Sequence, residues 1–168
     1  MNELIIQVAS ERDWPGVLRI YNHYVLTSHV TFDLMTQSLD ERRPWFVRFA
    51  PSSGYQLWVA LTGHEVAGYA TSAPLRSKPA YASSVETSVY LEESHRGAGL
   101  GAKLYGALLG SLREVSSLHR AYGCIALPNK PSVRLHEKLG FRKAGHFHEA
   151  GFKFGQFWDI AWYEKDLT

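Results

Sequence analysis

The strongest constraint on this chain is a strand, a glycine-rich turn and a helix in immediate succession. The segment "SSVETSVYLEE" (83–93) alternates between apolar and polar side chains, which is the two-residue period of a strand. Gly97, Gly99 and Gly101 follow, and leucines then recur at every fourth position from 100 to 112, which predicts a helix ending near Ser117. Glycine lets main-chain N–H groups approach a bulky ligand, and the free N–H groups of a helix N-terminus attract anions. The segment therefore predicts a cradle for a phosphate group.

The other segments alternate between strand-like and helix-like patterns. Aromatic and β-branched runs on either side of "TGH" predict a hairpin, and a leucine-glycine pair closes the late helical segment. We expect strands over 4–9, 55–61, 65–74, 83–93, 121–127, 141–151 and 153–167, and helices over 13–28, 38–49, 100–117 and 129–140. Strands that alternate with helices in the middle and form hairpins elsewhere predict a mixed, twisted central sheet flanked by helices. The expected fold is a single α/β domain over residues 1–168.

Composition limits the partners and the compartment. The formal net charge is +2 and no dense basic run occurs, so nucleic acid is not an expected partner. No apolar run reaches the roughly 18 residues that a membrane span needs, and a signal-peptide core is missing, so no membrane partner is expected. The single cysteine cannot form an internal disulfide, which agrees with a reducing compartment. We expect a cytoplasmic protein.

Three kinds of phosphate cradle compete for the glycine turn. Residues 97–102 match the G-x-G-x-x-A dinucleotide fingerprint, but no acidic residue lies between Glu114 and Glu137 to hold a ribose. The Gly-Lys-Ser/Thr ending of a P-loop is missing. The remaining spacing is Arg96, two residues, Gly99, one residue and Gly101, between a strand and a helix. It resembles the pyrophosphate motif of the GCN5-related N-acetyltransferases (GNAT); a tight turn with no ligand is the alternative.

Further segments carry the same resemblance. "NKPSVRLHEKLGF" is similar to the family's late helix, and with "ETSVYLEESHRGAGLG" and "GFKFGQFWDIAWYEKDL" the chain resembles the phosphinothricin N-acetyltransferase branch. The resemblance runs from about residue 21 to the C-terminus and is densest over 81–159. It implies the acetyltransferase fold, acetyl-CoA as cosubstrate, a small amine or amino-acid analogue as acceptor, and a homodimer.

The resemblance also implies where the cofactor binds. Main-chain groups at the end of the fourth strand, at about Val89 and Leu91, would hold the pantetheine, and the side chain of Asn129 would bond the same arm. Main-chain N–H groups would hold the pyrophosphate at the helix N-terminus; they belong to Arg96, Gly97, Ala98, Gly99, Leu100, Gly101 and Ala102.

Two catalytic residues are implied. Acetyl transfer to an amine needs a base and an acid for the thiolate, and the resemblance places the base at Glu86, on the polar face of its strand. A solvated strand carboxylate is the alternative reading. The resemblance places His136 at the helix position where many family members carry a tyrosine that protonates the thiolate and where this branch carries histidine. Its role as acid, as helper of the base or as a positioning group stays open, as does a purely structural role.

The resemblance places the acceptor near "LRSKPAY" and "TFD". Its substrate contacts would be Phe32, Arg76, Lys78 and Tyr81, with Ser88 and Tyr90 on the polar face of the fourth strand. Two cations beside an aromatic side chain suit a small zwitterion with an additional anionic or polar end, although an exposed basic loop is the alternative. Phosphinothricin, methionine sulfoximine or sulfone and other small amines are candidate acceptors. A non-catalytic acyl-CoA sensor or interaction domain is the rival of a different class.

Three other features predict no further chemistry. His146 and His148 share a strand face, but no third ligand with zinc-like spacing is apparent, so no metal is expected. Cys124 lies in an apolar strand without a His or Asp at a recognisable spacing, which predicts a buried, inert thiol. The aromatic residues of the C-terminal segment are expected to form core or dimer contacts.

Overall fold

A computed structural model describes residues 3–168, which form one mixed sheet of seven strands with the order β1-β2-β3-β4-β5-β7-β6. The strands are β1 (Leu4–Val8), β2 (Leu57–Thr62), β3 (Glu65–Pro74), β4 (Ser84–Leu91), β5 (Arg120–Ala126), β6 (Arg142–Lys153) and β7 (Gln156–Asp166). β4 and β5 pair in parallel, and every other neighbouring pair is antiparallel. The mixed α/β sheet predicted from the sequence is confirmed.

Four α-helices cover the sheet in the described part of the chain: α1 (Trp14–Thr27), α2 (Leu39–Phe46), α3 (Leu100–Arg113) and α4 (Lys130–Lys138). α3 ends before the predicted Ser117 because tighter turns follow it, in which the N–H groups of Val115 and Leu118 donate to carbonyls three residues earlier. Within residues 3–168 no helix has both the length and the apolar character needed to cross a membrane.

The two faces of the sheet pack against different helices. α1 and α2 cover one face, where Trp14 stacks on Phe46 with 4.8 Å between ring centroids and Val59 and Tyr69 are buried. α3 covers the other face, where its leucines pack on small residues such as Ala70. Because side chains alternate along a strand, consecutive residues of β4 face different helices.

The sheet opens in its middle. β4 and β5 pair only over Ser84–Glu86 and Arg120–Tyr122, although both strands continue further. At the point of separation the Thr87 hydroxyl donates to the Tyr122 carbonyl at 3.0 Å, so a side chain replaces the next ladder hydrogen bond. Beyond it, the main-chain groups of β4 that face β5 border a cleft.

Candidate active site

The cleft of about 560 Å³ lies between the separated ends of β4 and β5 and extends to the turn before α3 and to α4. Most of the predicted cofactor residues line it, together with several predicted site residues: Ser88, Val89, Tyr90, Leu91, Arg96, Gly97, Gly99, Gly101, Ala102, Asn129 and His136. Ala98 and Leu100, which were also predicted to bind the cofactor, lie outside the lining, and the side chain of Leu100 is buried in the core. Residues of α1, β4, the glycine turn, β5 and α4 therefore meet at one concave site.

The glycine turn presents main-chain donors to this cleft. Gly97 and Gly99 have φ values of 82° and 78°, a left-handed conformation that strongly favours glycine. Within residues 3–168, the N–H groups of positions 97–102 have no protein partner, and Gly99 is the N-cap of α3. Arg96 departs from the prediction, because its N–H donates to the Glu93 carbonyl at 3.2 Å. The free N–H groups and the positive end of α3 suit a pyrophosphate.

Gly101 is constrained by space and not by its backbone angle. A Cβ there would lie 3.3 Å from Leu135 Cδ2 and 3.4 Å from Leu91 Cδ1, whereas a Cβ at Gly97 or Gly99 would meet no atom within 4 Å. Gly101 therefore lets α3, α4 and the end of β4 approach one another, and Gly99 gives the turn its shape.

Tyr24 of α1 ties the turn to β4, and the sequence reading did not identify it. Its hydroxyl donates to the Leu91 carbonyl at 2.6 Å and accepts from Arg96 Nη2 at 2.9 Å. The guanidinium of Arg96 thus fixes the turn from outside, and the Leu91 carbonyl already has one partner before any cofactor binds. Tyr24 also lines the cleft.

Asn129 begins α4. Its Oδ1 accepts from the Ser132 N–H at 3.2 Å, which is the usual contact of an N-cap residue. The amide nitrogen of Asn129 has no hydrogen-bond partner elsewhere in residues 3–168. The predicted contact with the pantetheine arm stays a prediction.

Glu86 lies on the α1 face of the sheet, at the last pair of β4 and β5. It is half-buried, and burial raises the pKa of its carboxyl group while the nearby Arg76 guanidinium lowers it. Arg76 also lies 5.8 Å from the ring centroid of Trp162 on β7. The structure therefore brings together the predicted base and one predicted substrate residue.

Cys124 shares this neighbourhood, and the expectation of a buried thiol is wrong. Cys124 is exposed, because the pairing of β5 with β4 ends at Tyr122 and the cleft borders β5 beyond that point. Desolvation and the Glu86 carboxylate raise the pKa of the thiol to about 12. Cys124 therefore stays protonated and is a poor nucleophile.

His136 lies on the opposite, α3 face, and no hydrogen bond joins it to Glu86 in the described residues. Only 4% of it is exposed, and burial lowers the pKa of its imidazole. Nδ1 lies 2.8 Å from the Ser132 carbonyl, and Nε2 lies 3.2 Å from the hydroxyl of Tyr105 on α3. The two predicted catalytic side chains thus flank the separated strands from two sides.

Tyr105 continues this contact into a chain of hydrogen bonds. Its hydroxyl lies 2.5 Å from Thr87 Oγ1, which donates to the Tyr122 carbonyl. The chain has four contacts: Ser132 to His136, His136 to Tyr105, Tyr105 to Thr87, and Thr87 to the Tyr122 carbonyl. When the imidazole is neutral, only three donor protons are available, one each on the imidazole, the Tyr105 hydroxyl and the Thr87 hydroxyl. Tyr105 can therefore donate either to His136 or to Thr87, but not to both. A proton on His136 Nε2 would complete all four contacts.

Gly123 of β5 makes room for the imidazole. A Cβ at this position would overlap the ring, with His136 Cδ2 only 2.7 Å away. The sequence reading missed Gly123, Tyr105 and Thr87. The available signals were a hydroxyl within the apolar face of β4 and a glycine within an apolar strand.

The predicted acceptor residues do not form one cluster. Arg76, Lys78 and Tyr81 are exposed. Lys78 directly precedes a short 3₁₀ turn at Pro79–Tyr81 and makes no side-chain hydrogen bond within residues 3–168. Phe32 is half-buried against Gly151 of β6. Tyr90 stacks on Tyr69 at 5.3 Å, and burial raises the pKa of its phenol. Ser88 and Tyr90 reach the cleft, whereas Phe32, Arg76, Lys78 and Tyr81 lie outside its lining.

The fold brings a third group to His146 and His148. Asp159 Oδ2 of β7 lies 2.7 Å from His146 Nε2 and 3.2 Å from His148 Nδ1, and Oδ1 accepts from the Glu149 N–H at 2.8 Å. These bonds lower the pKa of Asp159 to about 2. The expectation that no third possible ligand accompanies the two histidines is wrong, because spacing along one strand does not show a neighbour across the sheet.

Comparison with known proteins decides the family. A model of the acetyltransferase (GNAT) domain matches residues 6–162. The chain belongs to the GNAT family. It is an acetyl-CoA-dependent N-acetyltransferase, and the comparisons indicate no metal-requiring family. The alternative prediction, a non-catalytic acyl-CoA sensor or interaction domain, is therefore excluded.

Curated relatives and solved structures agree with this membership. A phosphinothricin N-acetyltransferase of Streptomyces coelicolor is 45% identical over 98% of this chain and 97% of its own length. An L-methionine sulfoximine/L-methionine sulfone acetyltransferase of Salmonella typhimurium is 32% identical over 98% and 95%. An acetyltransferase structure from Salmonella typhimurium with its cofactor acetyl-CoA has a TM-score of 0.93 and 32% identity, covering 99% and 95% of the two chains. The predicted GNAT resemblance and its phosphinothricin branch are confirmed.

Proposed function

We propose that this GNAT enzyme transfers the acetyl group of acetyl-CoA to the amino group of a small amino-acid-like acceptor such as phosphinothricin. The observation that carries the proposal is the half-buried Glu86 carboxylate beside the Arg76 guanidinium, where β4 and β5 separate. A cation there can hold an acceptor carboxylate while the acceptor amine faces the base. The name of the Streptomyces coelicolor relative supports this acceptor class.

In the proposed reaction Glu86 takes a proton from the acceptor ammonium group. The neutral amine then attacks the thioester carbonyl carbon, a C–N bond forms, and the C–S bond breaks as the tetrahedral intermediate collapses. The raised pKa of Glu86 makes it a better base than an ordinary surface carboxylate. Direct transfer in a ternary complex needs no acyl-enzyme, which agrees with the protonated thiol of Cys124.

His136 is proposed to supply the proton for the CoA thiolate. The ring lines the cleft on the α3 face, opposite Glu86, so acid and base are on two sides of the separated strands. Burial lowers the pKa of the imidazole, so the ring is mostly neutral near pH 7 and must take up a proton from solvent at Nε2 before it can act as the acid. The Nε2–H group then donates to the Tyr105 hydroxyl until the thiolate takes the proton.

A second acceptor class has structural support of its own. Phosphinothricin carries a carboxylate and a phosphinate, whereas methionine sulfoximine and methionine sulfone carry one carboxylate and a polar neutral end. Both predicted cations are exposed, but of the two only Arg76 lies near enough to Glu86 to affect the pKa of its carboxyl group. A single cation at the site favours an acceptor with one anionic group, as named for the Salmonella typhimurium relative.

A thiol-release screen tests the proposal. Acetyl-CoA is mixed with the protein and with phosphinothricin, methionine sulfoximine, methionine sulfone or ordinary amino acids, and free CoA is measured. Faster CoA release with at least one of these amines, and an acetylated amine by mass spectrometry, is the expected result. Release that no amine in the panel accelerates would contradict the proposed acceptor class.

The assembly and setting are proposed on separate grounds. Large aromatic side chains of the β6–β7 hairpin are exposed, which supports a homodimer through that hairpin: Phe147, Phe152, Phe154 and Phe157. The near-neutral charge supports the absence of nucleic-acid and membrane partners, and the single cysteine supports a cytoplasmic setting. Residues 1–168 are proposed to act as a single catalytic domain. Analytical ultracentrifugation tests the dimer, and a monomer at all concentrations would refute it.

A further inference from the structure

His146, His148 and Asp159 form a cluster on the β6–β7 hairpin that the proposed reaction does not use. His146 pairs with Ala161 across the sheet. His148 and Asp159 each lie two positions away on the same strands, so the three side chains face one side of the hairpin. The Nε2 atom of His146, the Nδ1 atom of His148 and a carboxylate oxygen of Asp159 all lie within 4.8 Å of one another. None of these three residues lines the cleft between β4 and β5, so the cluster is a separate feature.

One oxygen of Asp159 receives both imidazole rings. Oδ2 lies 2.7 Å from His146 Nε2 and 3.2 Å from His148 Nδ1. A carboxylate oxygen can only accept, so each ring must carry a proton on the nitrogen that faces it. Two protons therefore lie between three possible metal ligands, and binding of a metal ion releases such protons.

The separations of the ligand atoms suit a small divalent ion. Zinc binds imidazole nitrogen and carboxylate oxygen at about 2.0–2.2 Å, which places the ligand atoms of a tetrahedral site about 3.3 Å apart. The contacts of 2.7 Å and 3.2 Å are close to that spacing, so small rotations of the side chains complete the geometry. The side chain of His148 is 81% exposed, and Asp159 lines an open groove of about 730 Å³ beside α4. Solvent can therefore reach the cluster and supply water as a fourth ligand.

Two neighbours act on the cluster in opposite directions. The Glu149 N–H donates to Asp159 Oδ1 at 2.8 Å, which orients the carboxylate and leaves Oδ2 for an ion, as is usual for metal-binding carboxylates. Lys143 Nζ lies 3.3 Å from His146 Nδ1. When Nε2 binds a cation, the proton of the ring is on Nδ1, so the exposed Lys143 side chain must turn into solvent. We therefore expect Lys143 to weaken metal binding.

We propose that His146, His148 and Asp159 bind a zinc ion, with water as the fourth ligand. The ion joins the bulged part of β6 to β7, because both histidines lie on one strand and the carboxylate on the other. Two imidazole ligands favour zinc over magnesium or calcium, which prefer oxygen ligands. The zinc takes no part in acetyl transfer, since the cluster lies outside the cleft and the comparisons indicate no metal-requiring family.

Calorimetric titration of the untagged, EDTA-treated and dialysed enzyme with zinc chloride tests the proposal. The expected result is one zinc ion per chain, with a Kd raised roughly tenfold or more in His148→Ala and in Asp159→Asn. His148→Ala changes an exposed side chain, and Asp159→Asn keeps an oxygen that can accept from the Glu149 N–H, so both variants should fold. His64→Ala removes an exposed histidine in the turn between β2 and β3, and this matched control should bind zinc as the parent does.

Two further measurements identify the site independently of that loss. Lys143→Ala removes the cation beside His146 and should lower the zinc Kd several-fold. Added zinc should raise the Tm of the parent enzyme but not that of His148→Ala, because a ligand stabilises only the folded state that binds it. The metal-free parent and metal-free His148→Ala should transfer acetyl groups at the same rate.

Three results would overturn the inference. Equal zinc affinity in the parent, His148→Ala and Asp159→Asn would place the ion elsewhere, such as at Glu86 and Cys124 in the cleft. One ion bound per two chains would show a site between molecules and not within one hairpin. Loss of acetyl transfer on removal of zinc from the parent enzyme would show that the ion belongs to the reaction, contrary to the proposal.

Discussion

The groups proposed to bind the pyrophosphate, on the α3 side of the cleft, belong to the main chain, whereas the groups proposed to bind the acceptor, on the α1 side, belong to side chains. The cofactor side offers N–H groups of residues 97–102, shaped by two glycines with positive φ. The proposed acceptor side offers the Glu86 carboxylate and the Arg76 guanidinium. A main-chain cradle can hold the same cofactor with many sequences around it, whereas we expect replacement of a side chain that contacts the acceptor to change selectivity. One fold can thus keep its cofactor and change its amine.

Glu86→Gln should have the largest effect on activity, and it should affect catalysis without affecting the binding of acetyl-CoA. Loss of the base should lower kcat roughly 10²–10⁴-fold, the usual scale for general-base catalysis. Acetyl-CoA affinity, measured by calorimetry, should stay within about twofold of the parent, because the carboxylate lies on the other face of the sheet. Near-normal turnover across pH would show that Glu86 is structural.

Gly123→Ala tests the His136 side of the cleft. The added methyl group overlaps the imidazole and must displace it, and a shift of about 1 Å in a catalytic group can lower kcat roughly 10- to 100-fold. Steady-state kinetics at saturating acetyl-CoA measures the effect, and thermal unfolding checks that the variant is folded. A folded Gly123→Ala enzyme with parental kcat would remove His136 from the reaction.

Gly99→Val breaks the main-chain cradle without adding a side-chain clash. A β-branched residue is strained at φ 78°, and loss of one hydrogen bond to a charged phosphate weakens binding by about 1.5–3 kcal/mol, which raises the acetyl-CoA Kd roughly tenfold or more. Gly106→Ala is the matched control on α3, where a Cβ meets no atom within 4 Å and alanine favours the helix. Equal Kd values for the two variants would refute the cradle.

The sequence predicts those parts of the fold and the site that depend on a few neighbouring residues, but not the contacts between residues that are distant along the chain. Gly97 and Gly99 could be recognised because a left-handed turn needs glycine at those positions themselves. The contact of His136 with Tyr105 could not, since it joins two helices, and Asp159 reaches His146 only across the sheet. Cys124 looked buried because a strand pattern does not show where a neighbouring strand departs.

Arg76→Ala and Lys78→Ala sharpen the comparison with the smallest effects. Arg76→Ala should raise the amine KM about tenfold because Arg76 lies near Glu86, whereas Lys78→Ala should change it less than about threefold. Arg76 lowers the pKa of Glu86, so its removal raises that pKa, and the rise of kcat/KM with pH should move to higher pH. An equal KM change in both variants, or a shift of the profile to lower pH, would contradict the assignment.

The measurement that tests the two-sided cleft most directly is a crystal structure of this enzyme with acetyl-CoA. The account predicts pyrophosphate oxygens within hydrogen-bond distance of N–H groups of residues 97–102, and the thioester between the separated ends of β4 and β5, with Glu86 on one side and His136 on the other. A pyrophosphate held away from the glycine turn, or a thioester with both side chains on one side of it, would contradict the account.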